Sequence, residues 1–301
     1  MLPFSRIAII GLGLIGSSVA RAIRANMADV RITGYDADSS VCESARGLNF
    51  CDDVADSAGT AVIDADLVLL AVPVGAMGDV AESFAADLPE DAIVSDVGSC
   101  KQSVFDALAK ALPSATIIPA HPVAGTEKSG PDAGFASLFE GRWCILTPPD
   151  DAPKVAVERL KTFWQRLGAD VETMDARHHD MVLAVTSHLP HLIAYTIVGT
   201  ADDLEEVTQS EVIKYSAGGF RDFTRIAASD PVMWRDVFLS NKDAVLEMLQ
   251  RFSEDLTALQ RAIRYDKGDE LEALFSRTRD IRRSILEQGQ DDDAPDFGRK
   301  H

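Results

Sequence analysis

Three segments of the chain carry polar residues that ordinary packing does not call for. Ser95-Asp96-Val97-Gly98-Ser99-Cys100-Lys101 lies where a strand-like run gives way to a helical one. Taken alone, Ser99 suits a helix N-cap better than a catalytic role. His121-Pro122-Val123-Ala124-Gly125-Thr126-Glu127 again follows an apolar run. A histidine there can act as a general base, since its ordinary pKa leaves it largely neutral near pH 7, or it can be a hydrogen-bonded structural residue. The spacing leaves both open. Gly218-Gly219-Phe220-Arg221-Asp222-Phe223-Thr224-Arg225-Ile226 sits in a helix-rich half, and His188 and His191 share one helical face if a helix continues through Pro190. No carboxylate or thiol completes a ligand set around those two histidines. Cys42, Cys51, Cys100 and Cys144 are scattered without a CxxC pair, so neither a metal nor a disulfide framework is expected.

A further segment, Gly11-Leu12-Gly13-Leu14-Ile15-Gly16, follows the apolar run 6–10 and opens an amphipathic stretch. A GxGxxG string alone is weak. Here Asp36 ends the next strand-like run, 20 residues after Gly16, and the run after that stops at Val72-Pro73. Gly11 would allow a tight turn, Gly13 would let the backbone approach a pyrophosphate, and Gly16 would let helix pack on strand. Phosphates would then face free N–H groups at the positive end of the helix dipole. Asp36 would accept hydrogen bonds from the adenosine ribose and repel a 2′-phosphate. Ala37-Asp38-Ser39-Ser40 offers no cation to hold one. The expected cofactor is NAD, held by Gly11, Gly13, Leu14, Ile15, Gly16, Asp36, Val72 and Pro73.

The elements that must position these groups alternate. Strand-like runs at 6–10, 30–35, 67–72, 92–95, 116–118 and 143–146 are separated by helical patterns such as 75–88 and 101–112. That alternation predicts a parallel sheet with helices on both faces. A helix at 153–167 and a short strand at 170–174 follow, and beyond residue 176 the sequence is almost wholly helix-forming, with long amphipathic stretches at 232–263 and 270–286. The expected fold is α/β, with an N-terminal Rossmann-type dinucleotide-binding domain over 1–175. An all-α C-terminal domain for substrate binding and dimerisation is expected over 176–288, and a disordered acidic tail over 289–301.

Hydrophobic residues make up 46% and charged residues 26% of the 301, the balance of a soluble globular protein. No apolar run approaches the ~20 residues that span a bilayer. The N-terminus lacks the basic and apolar regions of a secretory signal, so a cytoplasmic protein is expected. A net charge of −19 argues against nucleic-acid or anionic-membrane partners, which it would repel. It leaves room for a small anionic substrate, because a few buried cations overrule the global field locally.

Together the motifs resemble those of the prephenate dehydrogenase (cyclohexadienyl dehydrogenase) family. The resemblance runs from GLGLIG through DVGSCK, HPVAGTE and SHLPH to GGFRDFTRIAASDPVMW, nearly the whole chain, and the last string is the most specific. It implies NAD-dependent oxidative decarboxylation of prephenate, or of arogenate, in tyrosine biosynthesis. Hydride leaves ring C4 for NAD, the C4 hydroxyl loses its proton, C1 loses carbon dioxide, and the ring becomes aromatic. The resemblance further implies that His121 is the catalytic base and that Ser99 orients the hydroxyl beside it. It gives Arg225 the ring carboxylate, which a planar guanidinium can bind in bidentate fashion. His191, favoured over His188, would line the substrate pocket with Gly218, Asp180 and Trp234, and the helical half would pair in a homodimer. His178, His179 and His301 are expected at the surface or in the tail. The β-hydroxyacid dehydrogenases share the architecture, but their catalytic lysine would have to be Lys242, and they have no counterpart of HPVAGTE. A non-enzymatic NAD sensor would leave a base at His121 without a purpose.

Overall fold

In the computed structural model, which describes residues 2–126, 128–208 and 218–287, the first part of the chain alternates strand and helix. In order these are β1 (Arg6–Ile10), α1 (Leu14–Asn26), β2 (Arg31–Tyr35), α2 (Ser39–Leu48), β3 (Asp53–Val54) and α3 (Ala58–Val62). They continue with β4 (Leu67–Leu70), α4 (Met77–Phe84), β5 (Ile93–Asp96), α5 (Gln102–Ala111) and β6 (Thr116–Ile117). The strands form one parallel six-stranded sheet in the order β3-β2-β1-β4-β5-β6. Strands covered on both faces must be apolar throughout, which is why β1 and β4 read as unbroken hydrophobic runs. The two-residue period of β1 sends Ile7 and Ile9 into one apolar layer, with Val19 and Ile23 of α1. Ala8 and Ile10 enter the other, with Val68, Leu70 and Phe84. Strand order reverses between β1 and β4, opening a crevice beyond their carboxyl ends.

The run at 143–146, expected as a sixth parallel strand, belongs elsewhere. Its place in the large sheet is taken by β3, too short to leave a sequence signal. A second sheet of three strands joins β7 (Ala120–Pro122), β8 (Trp143–Leu146) and β9 (Asp170–Thr173), with β7 antiparallel to β8. Pro119, which has no N–H for a ladder, separates β6 from β7 and lets the chain leave the first sheet. Between β8 and β9, α6 (Lys154–Arg166) buries Leu160, Phe163 and Trp164 in the first apolar layer.

The remaining elements are helical: α7 (Ala176–Leu183), a π turn (Ala184–His188), α8 (Leu189–Thr208), α9 (Gly218–Thr224), a 3₁₀ turn (Arg225–Ala228), α10 (Pro231–Ser240), α11 (Lys242–Arg264) and α12 (Gly268–Glu287). Helix does continue through Pro190. Proline removes one N–H and crowds the preceding turn, and the wider π turn just before it accommodates the ring. By length and composition, Ala176–Asp203 is apolar enough to cross a bilayer, contrary to the expectation that no stretch would be. It nonetheless holds buried His179, Asp180 and His188. The single helix expected over 232–263 breaks at Asn241, whose side chain is hydrogen-bonded elsewhere.

Two compact units are distinguished, Met1–Val245 and Leu246–His301. Hydrogen bonds from Lys101 and Gln102 to Asp180 tie α7 to the α/β part. The expected acidic tail at 289–301 lies outside the described residues, as do Glu127 and His301.

Candidate active site

Past β1 the chain turns at Gly11, which has a φ of +100°, and a Cβ there would stand 2.4 Å from the Ala71 carbonyl oxygen. At Gly16 a Cβ would lie 1.9 Å from the Gly11 carbonyl oxygen, so α1 starts this close to the strand only with glycine. Gly13 differs: nothing lies within 4 Å of where its Cβ would be, and Leu14 and Ile15 beside it are half-buried. No side chain caps α1, and its first turn holds no acidic residue. Its first N–H groups suit an anion. Asp36, just past β2, accepts from the Leu12 N–H at 2.8 Å and the Asp38 N–H at 3.0 Å, which anchors the carboxylate against the glycine turn with lone pairs to spare. Val72 is half-buried and Pro73 exposed after β4. An open backbone, an uncapped helix start and a ribose acceptor on the next strand fit a dinucleotide. Asp36→Ala is expected to lower the ratio of kcat/KM for NAD over NADP. Equal values for both cofactors in the unmodified protein would show this reading of Asp36 to be wrong.

A second cluster lies past β5 and β6. Asp96, the last residue of β5, is paired with Lys101, and both side chains are fully buried. Asp96 also accepts from the N–H of Gly98 at 2.7 Å and of Ala120 at 3.3 Å, while Lys101 Nζ donates to the Ala120 carbonyl at 2.7 Å. Burial pushes the Asp96 carboxyl up, against the pull of Lys101 and the two N–H groups. The pair ties the end of β5, the start of α5 and the first residue of β7 into one knot, one position before His121.

The cap of α5 comes from a distance. Asp180 accepts from the Lys101 N–H at 2.8 Å and the Gln102 N–H at 3.0 Å. The helix's cap position falls at Lys101, so Ser99 is not its N-cap and stands half-buried in the turn before it. Both Asp180 oxygens are thus engaged by protein donors, which makes it a residue that positions others. His179, expected at the surface, is fully buried. Asp175 caps α7 through the N–H groups of Arg177 and His178, a start that leaves His178 exposed and turns His179, Asp180 and Leu183 inward. His179 Nδ1 lies 2.9 Å from Asp180 Oδ1, and its Nε2 lies 2.9 Å from His121 Nδ1. Burial holds the His121 pKa well below the usual histidine value, assisted by the charges of His179, Lys101 and His188. Burial also lowers that of His179, although Asp180 pulls the other way. His121 is therefore neutral at pH 7, as a base must be.

His188, at the end of the π turn, is fully buried, and burial lowers its pKa to about 4. Its Nδ1 lies 3.1 Å from Asn241 Nδ2, which also donates to the Asp180 carbonyl at 2.7 Å. An amide nitrogen only donates, so His188 Nδ1 accepts and its proton sits on Nε2. That Nε2 is buried without a partner among the described residues, and so is Trp234 Nε1. His191 stacks on Trp234 with centroids 3.6 Å apart, and its Nδ1 is 2.9 Å from the Ser187 carbonyl. Two neighbouring rings thus keep unpaired N–H donors, a costly arrangement unless a ligand satisfies them. Arg225 is exposed, near enough to His191 for its charge to oppose protonation there, and has no carboxylate partner among the described residues. Asp230 instead caps α10 through the Met233 N–H at 2.7 Å. Gly218 opens α9 and is exposed. No group of three metal-binding side chains occurs among the described residues.

The sequence assigns no role to Asp96 or Lys101, although both lie in the polar segment 95–101, nor to His179 or Asn241. Asn241, a poor helix former inside the amphipathic stretch 232–263, leaves a faint signal. Only the fold shows that Asp96, Lys101 and His179 are buried.

Two family models match the chain. Residues 19–173 match "Prephenate dehydrogenase, nucleotide-binding domain" and residues 175–277 match "Prephenate dehydrogenase, dimerization domain". A cyclohexadienyl dehydrogenase of Zymomonas mobilis is 47% identical over 285 residues, 95% of this chain and 97% of the relative. A prephenate dehydrogenase of Bacillus subtilis is 37% identical, over 90% of this chain and 74% of its own length. Among solved structures, prephenate dehydrogenase from A. aeolicus in complex with hydroxyphenyl propionate and NAD+ superposes with a TM-score of 0.88. It is 34% identical, covering 93% of this chain and 98% of that one.

Proposed function

The chain belongs to the prephenate dehydrogenase family, and from that premise we infer that it catalyses the NAD-dependent oxidative decarboxylation of prephenate, arogenate or both. The observation that carries this reading is the buried His121–His179–Asp180 hydrogen-bonded series, in a chain whose glycine turn and uncapped α1 fit a dinucleotide. Bound NAD supplies the hydride acceptor; the chain's own residues supply the rest. The glycine turn and α1 would hold the pyrophosphate, and Asp36 would hold the ribose. His121 removes the proton of the ring hydroxyl, with Ser99 orienting that hydroxyl. The open donors of His188 and Trp234 face a polar side chain of the substrate, while His191 and Trp234 form its apolar wall. In this reading residues 1–175 serve the cofactor, and the helices that follow serve the substrate and a second copy of the chain. NADH formation should be measured with prephenate and with arogenate in turn; no turnover with either would overturn the assignment.

Arg225 is assigned the ring carboxylate. A guanidinium near His191 with no carboxylate partner among the described residues supports this, because the competing structural role would need one. Arg225→Ala removes a charge-assisted contact worth ~1.5–3 kcal/mol. The contact exists in ground and transition states alike, so KM is expected to rise roughly ten- to a hundredfold with little change in kcat or NAD affinity. Lys should restore only part of the loss. A lowered melting temperature with proportionate damage to NAD binding would favour the structural role.

The protein is assigned as a homodimer. In the first compact unit Val185, Ile197 and Leu239 are exposed, and in the second Leu256, Ile263 and Phe275 are. Such apolar faces suit association with a second copy. Light scattering at micromolar concentration is expected to give twice the 32.5 kDa chain mass; a monomer would count against it.

A further inference from the structure

His179 sits between the base and a carboxylate with both ring nitrogens engaged, at 2.9 Å each. We propose that His179 is a positioning residue: held by Asp180, it fixes His121 in the tautomer whose Nε2 carries the free lone pair, and it supports that ring's charge once the proton arrives. The proposal rests on the reading of His121 as base.

The argument is one of donors and acceptors. The Asp180 carboxylate, already receiving the N–H groups of Lys101 and Gln102, can only accept. His179 Nδ1 must therefore donate to it. A neutral imidazole that donates from Nδ1 has a lone pair on Nε2, so the bond to His121 is made only if His121 Nδ1 donates. The proton of neutral His121 then sits on Nδ1, and Nε2 is left bare.

The surrounding charges keep this arrangement neutral at rest. Asp180 on its own helix, His121 on β7, Lys101 before α5 and Asp96 on β5 face His179. His179, Lys101 and His188 face His121. Lys101, a buried cation, opposes protonation of either ring. In turnover the substrate O–H bond breaks and its proton forms an N–H bond at His121 Nε2; the O–H electron pair becomes the second C4–O bond as the C4–H bond breaks, its electron pair leaving as the hydride that NAD would accept. His121 Nδ1–H then donates from an imidazolium to His179 Nε2, a stronger bond than before. His179 passes that polarisation to Asp180 without moving a proton.

Glutamine carries an acceptor and a donor side by side, much as the two imidazole nitrogens do, whereas leucine carries neither. For His179→Gln, kcat is expected to stay within about fivefold of the parent. For His179→Leu it is expected to fall on the order of ten- to a hundredfold, at or below the lower end of what losing the base itself would cost, roughly 10²- to 10⁴-fold. In both, KM for prephenate, NAD binding and the melting temperature should change little. Equal kcat losses in the two variants, or full kcat in the leucine variant, would overturn the proposal. Should the leucine variant not fold, ¹⁵N-histidine NMR of the unmodified protein decides: His121 is expected with Nδ1 protonated and Nε2 bare, and an Nε2–H tautomer would overturn it. That spectrum does not depend on His121 being the base, which its own substitution tests separately.

Discussion

His121→Asn is expected to lower kcat by roughly 10²- to 10⁴-fold, the range for loss of a general base, while the protein still folds and binds NAD. The asparagine amide can keep a donor toward His179 Nε2, so the buried contact survives even though no lone pair reaches the substrate. The cofactor crevice, built from the turn after β1 and the end of β4, shares none of these atoms. The pH profile of the parent follows from burial. Because the His121 pKa is held well below the ordinary histidine value of 6.5, the acidic limb of kcat/KM should lie well below pH 6.5. Activity is lost as pH falls through that point, since protonation removes the base. An acidic limb at or above 6.5 would mean that another group controls it, and an unimpaired kcat in the asparagine variant would remove His121 from the mechanism.

Lys101→Met is expected to destabilise the protein by about 3–5 kcal/mol, the usual cost of leaving one partner of a buried ion pair uncompensated. For a unit of this size that corresponds to a fall in melting temperature of roughly 6–20 °C. Asp96 would remain fully buried, with two backbone N–H groups but no cation. It would be driven to take up a proton, so the deficit should shrink at low pH. The double change Asp96→Asn, Lys101→Met removes both charges and is expected to recover most of the stability, since an apolar or neutral pair often replaces a buried ion pair without loss. Thermal melts of the parent, both single variants and the double variant form a cycle that isolates the coupling. A single-variant loss below about 1 kcal/mol, the level of an exposed pair, would show that the pair contributes little to stability.

The recognisable parts of this protein are those whose physics is local. A β-branched run, a glycine turn and an amphipathic stretch sit side by side in the chain, so the cofactor fold could be read directly, and Asp36 follows at the end of the next strand. Alternation of strand and helix predicted the parallel sheet because burial on both faces forces unbroken apolar runs. What the tertiary structure alone decided is which polar groups are withdrawn from water and which meet. His121 and His179 are 58 residues apart, and Lys101 and Asp180 are 79 apart. In the sequence, His178-His179-Asp180 has the composition of a solvated helix face. Only the start of α7 at Asp175 and its packing against the α/β part turn two of those three residues inward. Asp96 and Lys101 lie in a polar segment that stands out in the sequence, but their pairing and burial exist only once β5, α5 and β7 close around them. Local conformational preference is written in neighbouring residues; burial is a property of the whole packed chain, and it sets the ionisation and the hydrogen-bond partners of His121.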